Sequence, residues 1–380
     1  MQKKTLIITL EYPPQVGGIA TYIHDLAMEM DPVQTIVLAP TSKGSDEWDA
    51  TVPYKVIRKK LLFPSYLWPR WLRVSWHTLR IARKERVEIL MAHHVLPIGY
   101  VAVLTQWFLK TPFLLFSHGT DLLMGTKNVW KRTLVAFVSA RAQQIVFNSH
   151  SLKRRYLEHF PQFLEKTLVL YPCPSPDLRV RPSDETLTAL SEQYGLSGKR
   201  VLLSVGRLDE GKGFTHLLRM IPELIKKIPY LTWVVIGDGP KKGEFISHIQ
   251  KHHLENVVRF VGEVPHNKLK PWYYIADVFA LLTHPDEGRE EGLGLVFLEA
   301  SAVGCPIVAG KSGGVEEGIL HSETGLIVDI HKGDQFVIDA IAGLFENHEY
   351  AKRLGRQARE RMESDFVWSH QVEKLQTWIG

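Results

Sequence analysis

Cysteine is nearly absent from this chain. Its 380 residues contain two, Cys173 and Cys305, far apart and without ligand spacing. That excludes a disulfide framework and a cysteine-based zinc module, and it fits a reducing compartment. Long apolar runs are also missing. The best candidate, 95–116, is interrupted by Pro97, Gln106, Lys110 and Pro112, so no membrane span is expected. The apolar stretch 5–10 is too short, and too soon broken by Glu11, Pro13 and Pro14, to be a secretory signal. Two phosphate-binding fingerprints are lacking, the Gly-x-Gly-x-x-Gly of dinucleotide sites and the Gly-Lys-Ser/Thr of Walker loops. Nor is there a compact nucleic-acid-binding motif, so no nucleic-acid partner is expected.

What the chain does contain is a soluble composition, 45% hydrophobic and 23% charged, with enough length for two cores. Strand-like and helix-like runs alternate throughout. Strands are predicted at 5–10, 35–39, 54–58, 88–92, 113–117, 144–148 and 167–171, then at 200–205, 231–236, 257–261, 278–282, 306–309 and 325–328. Helical patterns fill most gaps, for example 19–30, 72–84, 99–109 and 129–139. Three more close the chain, near 334–345, 348–362 and 366–378. Such alternation implies α/β architecture with parallel sheets covered by helices. Three prolines between 172 and 176 make a stiff break. The expected organisation is two doubly wound, Rossmann-like domains, 1–171 and 183–362, joined by a linker at 172–182. The closing segment 363–380 is expected to pack back on the first domain. Ligands in such folds bind beyond the carboxyl ends of the strands, here in a cleft between facing domains.

The net charge of +5 is unevenly spread. Between Lys55 and Arg86 ten basic residues face a single acid, Glu85, and are interleaved with Tyr66, Trp68, Trp71, Trp76 and several leucines. Lys59, Lys60, Trp68, Arg70, Trp71 and Arg73 could together lie on an anionic membrane surface. The plainer alternative is a basic helix face whose aromatics turn into the core.

The loops after the strands carry the candidate chemistry. Residues 291–299 read Glu-Gly-Leu-Gly-Leu-Val-Phe-Leu-Glu after an apolar strand and a turn-rich loop. Glu291 falls at a loop-to-helix junction and Glu299 about two turns later. Glycines at the helix start let free N–H groups approach an anion, with a sugar near the first Glu and a ribose near the second. Two solvated surface glutamates are the bland alternative. Gly206 and Arg207 follow the strand 200–205, and Lys212 opens a helix between two glycines. Two cations there suit a diphosphate and would stabilise charge on a leaving one. Gly17 and Gly18 precede a helix after strand one, where a mere turn is the commoner explanation. His118 follows the strand 113–117, with Asp121 placed to orient it or to cap the next helix. His93 and His94 also follow a strand and rank lower, since the chain holds 17 histidines.

Together these loops resemble the retaining GT-B glycosyltransferases of family 4. The matching stretches are Pro-Pro-x-x-Gly-Gly-Ile, His-Gly-x-Asp at 118–121, Ser-Val-Gly-Arg-Leu with Lys-Gly (204–213), Gly-Asp-Gly-Pro (237–240), Val-Gly-Glu-Val (261–264), the Glu pair, and Gly-Gly-Val-Glu-Glu (313–317). The resemblance spans nearly the whole chain and is weakest from 41 to 86. Residues 289–294 and 310–315 are similar to enzymes that mannosylate phosphatidylinositol-type lipids from GDP-mannose.

The resemblance implies a nucleotide-sugar donor as substrate. Arg207 and Lys212 would hold its diphosphate and Glu291 the transferred sugar. The N–H groups of Gly292, Leu293, Gly294 and Leu295 would lie near sugar and phosphate. Glu299 would hold the ribose, and the backbone of Val264 would face the base. Gly17 and Gly18 would close on the donor, and His118 would hydrogen-bond the sugar near the reaction centre. Tyr12, Gln15 and Asp121 are the acceptor-side candidates. Gln15 departs from relatives that carry a basic residue there. Attack on the front face needs no enzyme nucleophile. No Asp-x-Asp occurs, so neither a metal nor another cofactor is expected. The acceptor is expected to be a lipid or saccharide, with the protein cytoplasmic and peripheral on the membrane face. A UDP-sugar donor, a UDP-N-acetylglucosamine 2-epimerase and a non-catalytic membrane or sugar-nucleotide binder are the alternatives.

Overall fold

The computed structural model describes residues 2–380, with backbone alone at Thr120. The chain divides into two compact units. The first runs to Pro172 and adds Trp368–Gly380, and the second is Cys173–Val367.

The first unit holds a parallel sheet of seven strands among the described residues. These are β1 (Thr5–Ile8), β2 (Thr35–Pro40), β3 (Lys55–Lys59), β4 (Ile89–His93), β5 (Phe113–Ser117), β6 (Gln144–Phe147) and β7 (Thr167–Val169). Their order is β3-β2-β1-β4-β5-β6-β7. Helices cover both faces, so β1, β4 and β5 are buried along their whole length. That is why they read as continuous apolar runs and not as alternation. The edge strand β3 carries Lys55, Arg58 and Lys59, charges that discourage further pairing. The closing residues belong here. Trp368 packs edge-on to Tyr22 with ring centroids 5.3 Å apart, and Lys3 N–H donates to Ile379 O at 2.6 Å. The single helix predicted over 366–378 is instead two, Trp368–Glu373 and Gln376–Ile379. At the break, Lys374 and Leu375 bond three residues back, tightening the turn. Gln371 meanwhile spends its side chain on Tyr171 N–H and on the Lys374 ammonium.

The second unit has six parallel strands among the described residues. They are β8 (Arg200–Val205), β9 (Leu231–Ile236), β10 (Val258–Gly262), β11 (Val278–Leu281), β12 (Ile307–Gly310) and β13 (Leu326–Val328). Their order is β10-β9-β8-β11-β12-β13. The first helix after β8, Phe214–Lys227, buries Phe214, Leu217, Leu218, Ile221 and Leu224, a helical stripe against the sheet. In both sheets the winding reverses beside the first strand, between β1 and β4 and between β8 and β11. Loops leaving the carboxyl ends of that strand pair diverge and leave room for a ligand.

Candidate functional site

In the second unit the loops after β8 and β11 meet at the switch point. Lys212 ends a single tight turn, Glu210–Lys212, and Gly213 starts the next helix. Gly213 has φ of +70°, and a Cβ there would overlap the Leu282 carbonyl. Only glycine lets the β8 loop lie so close to the end of β11. His284 N–H donates to Gly211 O at 3.0 Å and joins the same two loops.

The Lys212 ammonium forms a hydrogen-bonded ion pair with the Glu291 carboxylate, 79 residues away. Burial alone would lower the lysine pKa. The charge and hydrogen bond of Glu291, helped by Asp209, outweigh burial and raise it. Lys212 is therefore a fixed cation. Burial raises the Asp209 pKa, and Asp209 lies 3.8 Å from the Nε of the exposed Arg207. The Glu291 backbone is clamped too. Its N–H donates to Ser312 Oγ at 3.1 Å, and its carbonyl accepts from Gly314 N–H at 3.0 Å. Gly294, at φ +79°, then begins the helix Leu295–Val303, and a Cβ there would strike the Phe297 ring.

Glu299 is buried in that helix. One carboxylate oxygen lies 2.6 Å from His266 Nε2, and the other accepts from the Tyr273 hydroxyl at 2.6 Å. Tyr273 is held well above its ordinary pKa by burial and then by the Glu299 charge, so it stays a donor. Val264 lies two residues before His266 in the loop after β10 and is half-buried.

In the first unit three imidazoles gather at the ends of β4 and β5. His118 Nε2 lies 3.1 Å from His93 Nδ1, and the two rings stack with centroids 5.3 Å apart. His94 and Tyr22 meet the His118 ring edge-on. Burial, then the His94 charge, push the His118 pKa down to about 3, against a smaller opposing pull from Asp121. Burial pushes His93 down as well. Both rings are neutral at ordinary pH. After β1, Gly18 opens the helix Gly18–Met28, and nothing within 4 Å would meet a Cβ there. Packing within the chain does not demand that glycine.

Two family models match the chain. "Glycosyltransferase Family 4" covers residues 16–178, and "Glycosyl transferases group 1" covers 188–361. The chain is a family 4 glycosyltransferase. It is 28% identical to the GDP-mannose-dependent alpha-(1-6)-phosphatidylinositol monomannoside mannosyltransferase of Mycolicibacterium smegmatis, over 97% of this chain and 96% of that one. It is 24% identical to a glycogen synthase of Mycobacterium tuberculosis, over 96% and 91%. Among solved structures it is similar to Anabaena HepE in complex with UDP and glucose, with TM-score 0.83, 19% identity, and 99% of this chain and 100% of that chain covered. That likeness establishes the GT-B fold, two Rossmann-like domains with parallel sheets.

The glycosyltransferase brings together Lys212 with Glu291, and His118 with His93. Three expectations need correction. Tyr12, an acceptor-side candidate, is fully buried, with its hydroxyl 2.5 Å from that of Tyr54 and the Arg58 guanidinium 5.1 Å from its ring centroid. It anchors the β1 loop through Tyr54 and Arg58. Asp121 is buried, and its oxygens accept from the N–H groups of Val95, His118, Gly119 and Leu122 and from Ser117 Oγ. Four of these five bonds end on Oδ1, and together they make Asp121 the clamp of the β5 turn. Trp71 turns inward against Tyr100, with ring centroids 5.3 Å apart, while Trp68 is 86% exposed. Gln15 is exposed. His266, Tyr273 and Ser312 were not singled out from sequence. Two of these had a signal: Ser312 lies inside the 310–315 stretch, and His266 comes two residues after the Val-Gly-Glu-Val stretch (261–264).

Proposed function

We propose that this glycosyltransferase moves mannose from GDP-mannose to a lipid-linked acceptor, with retention of configuration and no metal in the reaction. The observation that carries the reading is the Lys212–Glu291 pair, held where the β8 and β11 loops meet. A diphosphate competes with Glu291 for the Lys212 ammonium. Lys212, with the exposed Arg207, then neutralises the charge that grows as the bond from the sugar anomeric carbon to phosphate oxygen breaks. Glu291, released, accepts from sugar hydroxyls beside the N–H groups of Gly292 to Leu295. The acceptor oxygen attacks the face from which the diphosphate leaves, and its proton passes to a leaving phosphate oxygen. Glu299, buried against His266 and Tyr273, is assigned the ribose hydroxyls, and the Val264 backbone the base. For Gly17, Gly18 and His118 the reading keeps contacts to the donor. The full-length relative named for GDP-mannose and a phosphatidylinositol mannoside supports this donor and acceptor class. The exposed Trp68 with its neighbouring cations supports a place on the cytoplasmic face of an anionic membrane.

Calorimetric titration with GDP and with UDP tests the donor. GDP is expected to bind at least about tenfold more tightly, and Lys212→Ala to weaken GDP by a further factor of about ten or more, the worth of one charge-assisted hydrogen bond. Preference for UDP moves the donor to a UDP-sugar. Binding of neither nucleotide removes the donor-site assignment.

A further inference from the structure

The second unit holds another constellation that the transfer reaction does not use. Glu210, His216 and His284 each offer one ligand atom, and these atoms all lie within 4.8 Å of one another. They come from separate elements, the turn Glu210–Lys212, the first turn of the helix Phe214–Lys227, and the loop after β11. The two imidazoles stand nearly perpendicular, at 88° with centroids 4.9 Å apart.

The surroundings prepare these groups as ligands. His284 Nδ1 lies 3.2 Å from the Leu282 carbonyl. A carbonyl only accepts, so Nδ1 is the donor and Nε2 is the nitrogen left for a ligand. This is the outer hydrogen bond that orients metal-binding histidines. Arg219 is tied to Asp334 through bonds of 2.8 and 2.6 Å. Glu210 now meets Lys241 at 3.2 Å, but Lys241 also holds Glu244 at 3.0 Å and keeps a partner if Glu210 leaves. A four-coordinate ion with bonds of about 2.0 Å needs its ligand atoms roughly 3.3 Å apart, and the exposed Glu210 side chain can make up the difference.

We propose that Glu210, His216 and His284 bind one divalent transition-metal ion of the zinc class, completed by water. Two imidazoles and one carboxylate suit such ions and not magnesium or calcium, which prefer oxygen alone. The ion clips the turn that ends in Lys212 to the loop that leads to Glu291, reinforcing the backbone bond from His284 to Gly211. It sits outside the transfer chemistry and steadies the two ends of the ion pair.

The test is cobalt titration of the full-length protein, followed by visible absorption and then by displacement with zinc. The proposal expects one equivalent of cobalt with tetrahedral bands. Glu210→Gln and His216→Gln should each weaken binding by about tenfold or more, with unchanged circular dichroism. Glu210→Gln alters an exposed side chain, so it keeps the test valid if a histidine variant misfolds. His248 and His252, a surface pair with ring centroids 6.1 Å apart, provide the control, and His248→Gln should change nothing. No saturable cobalt binding, or binding that survives both site substitutions, overturns the proposal. Because the readout is metal binding, failure here leaves the donor assignment untouched.

Discussion

His93 and His118 touch through ring nitrogens, and burial keeps both neutral. The His118–His93 contact occupies Nε2 of His118 and leaves Nδ1 for any further hydrogen bond. The same burial links these rings to stability. An unfolded histidine titrates near pH 6.5, whereas His118 in the fold does so at about 3 and His93 far below its ordinary value. Between those limits the unfolded chain binds protons that the folded chain refuses. Stability is therefore whole above about pH 6.5 and falls as the pH drops, by roughly 1.4 kcal/mol per pH unit for each such histidine. His93 is fully buried, so it gives the cleaner test. Urea unfolding of wild type and His93→Asn at pH 7 and pH 5 should show the acid-induced loss shrinking by about 1–2 kcal/mol in the variant. An equal loss in both proteins would mean that His93 titrates normally. Residue identity alone did not reveal this pair. His93 and His118 are 25 positions apart, and only the β4–β5 register, which sets His93 beside Phe116, brings them together.

At the scale of elements, the loops at the two switch points depend on glycine for different reasons. Gly213 adopts φ +70° with the Leu282 carbonyl against its Cα, so Gly213→Ala meets both backbone strain and a clash. It should destabilise the protein by about 2 kcal/mol or more, read as a lower thermal midpoint. Gly18 opens its helix with free space around it. Gly18→Ala should leave stability within about 0.5 kcal/mol and raise the donor KM by about tenfold, if that space belongs to a ligand. A stable Gly18→Ala enzyme with unchanged donor KM would make the Gly-Gly turn merely structural. These elements were largely legible in the sequence. Parallel strands buried on both faces leave unbroken apolar runs, and all the predicted strands formed within a few residues. Lys212 and Glu291 were legible as loop residues, but their contact was not, because it depends on β8 lying beside β11. Tyr12 and Asp121 misled for a local reason. Each is a polar residue beside a glycine-bearing loop, and the partners that bury it, Tyr54 and Val95, lie 42 and 26 positions away.

For the whole molecule, the question is where it works. Among the described residues no helix is long and apolar enough to cross a membrane. A membrane contact through the surface is the case to test, and 63–76 combines exposed aromatics with exposed cations. Tyr66 and Trp68 are 81% and 86% exposed, with Leu67, Leu72 and Trp76 also exposed nearby in sequence. Lys59, Lys60 and Arg70 are exposed as well, and Arg70 is braced by a 2.8 Å bond from its Nε to Phe63 O. Each cation is worth about 1 kcal/mol at an anionic surface, so removing two should lower partitioning by roughly thirtyfold. We expect Lys59→Gln with Lys60→Gln to reduce co-sedimentation with phosphatidylserine vesicles by about that factor, and raised salt to mimic the loss. Trp68→Ala should weaken binding at any salt, because its ring contributes apolar burial and not charge. Trp71→Ala separates the surface from the core. Packed on Tyr100, it should lower the thermal midpoint and spare vesicle binding in the protein that remains folded. If Trp68→Ala and the double lysine variant sediment like wild type, this surface does not hold the enzyme to lipid. A lipid-linked acceptor would then have to reach it by another face.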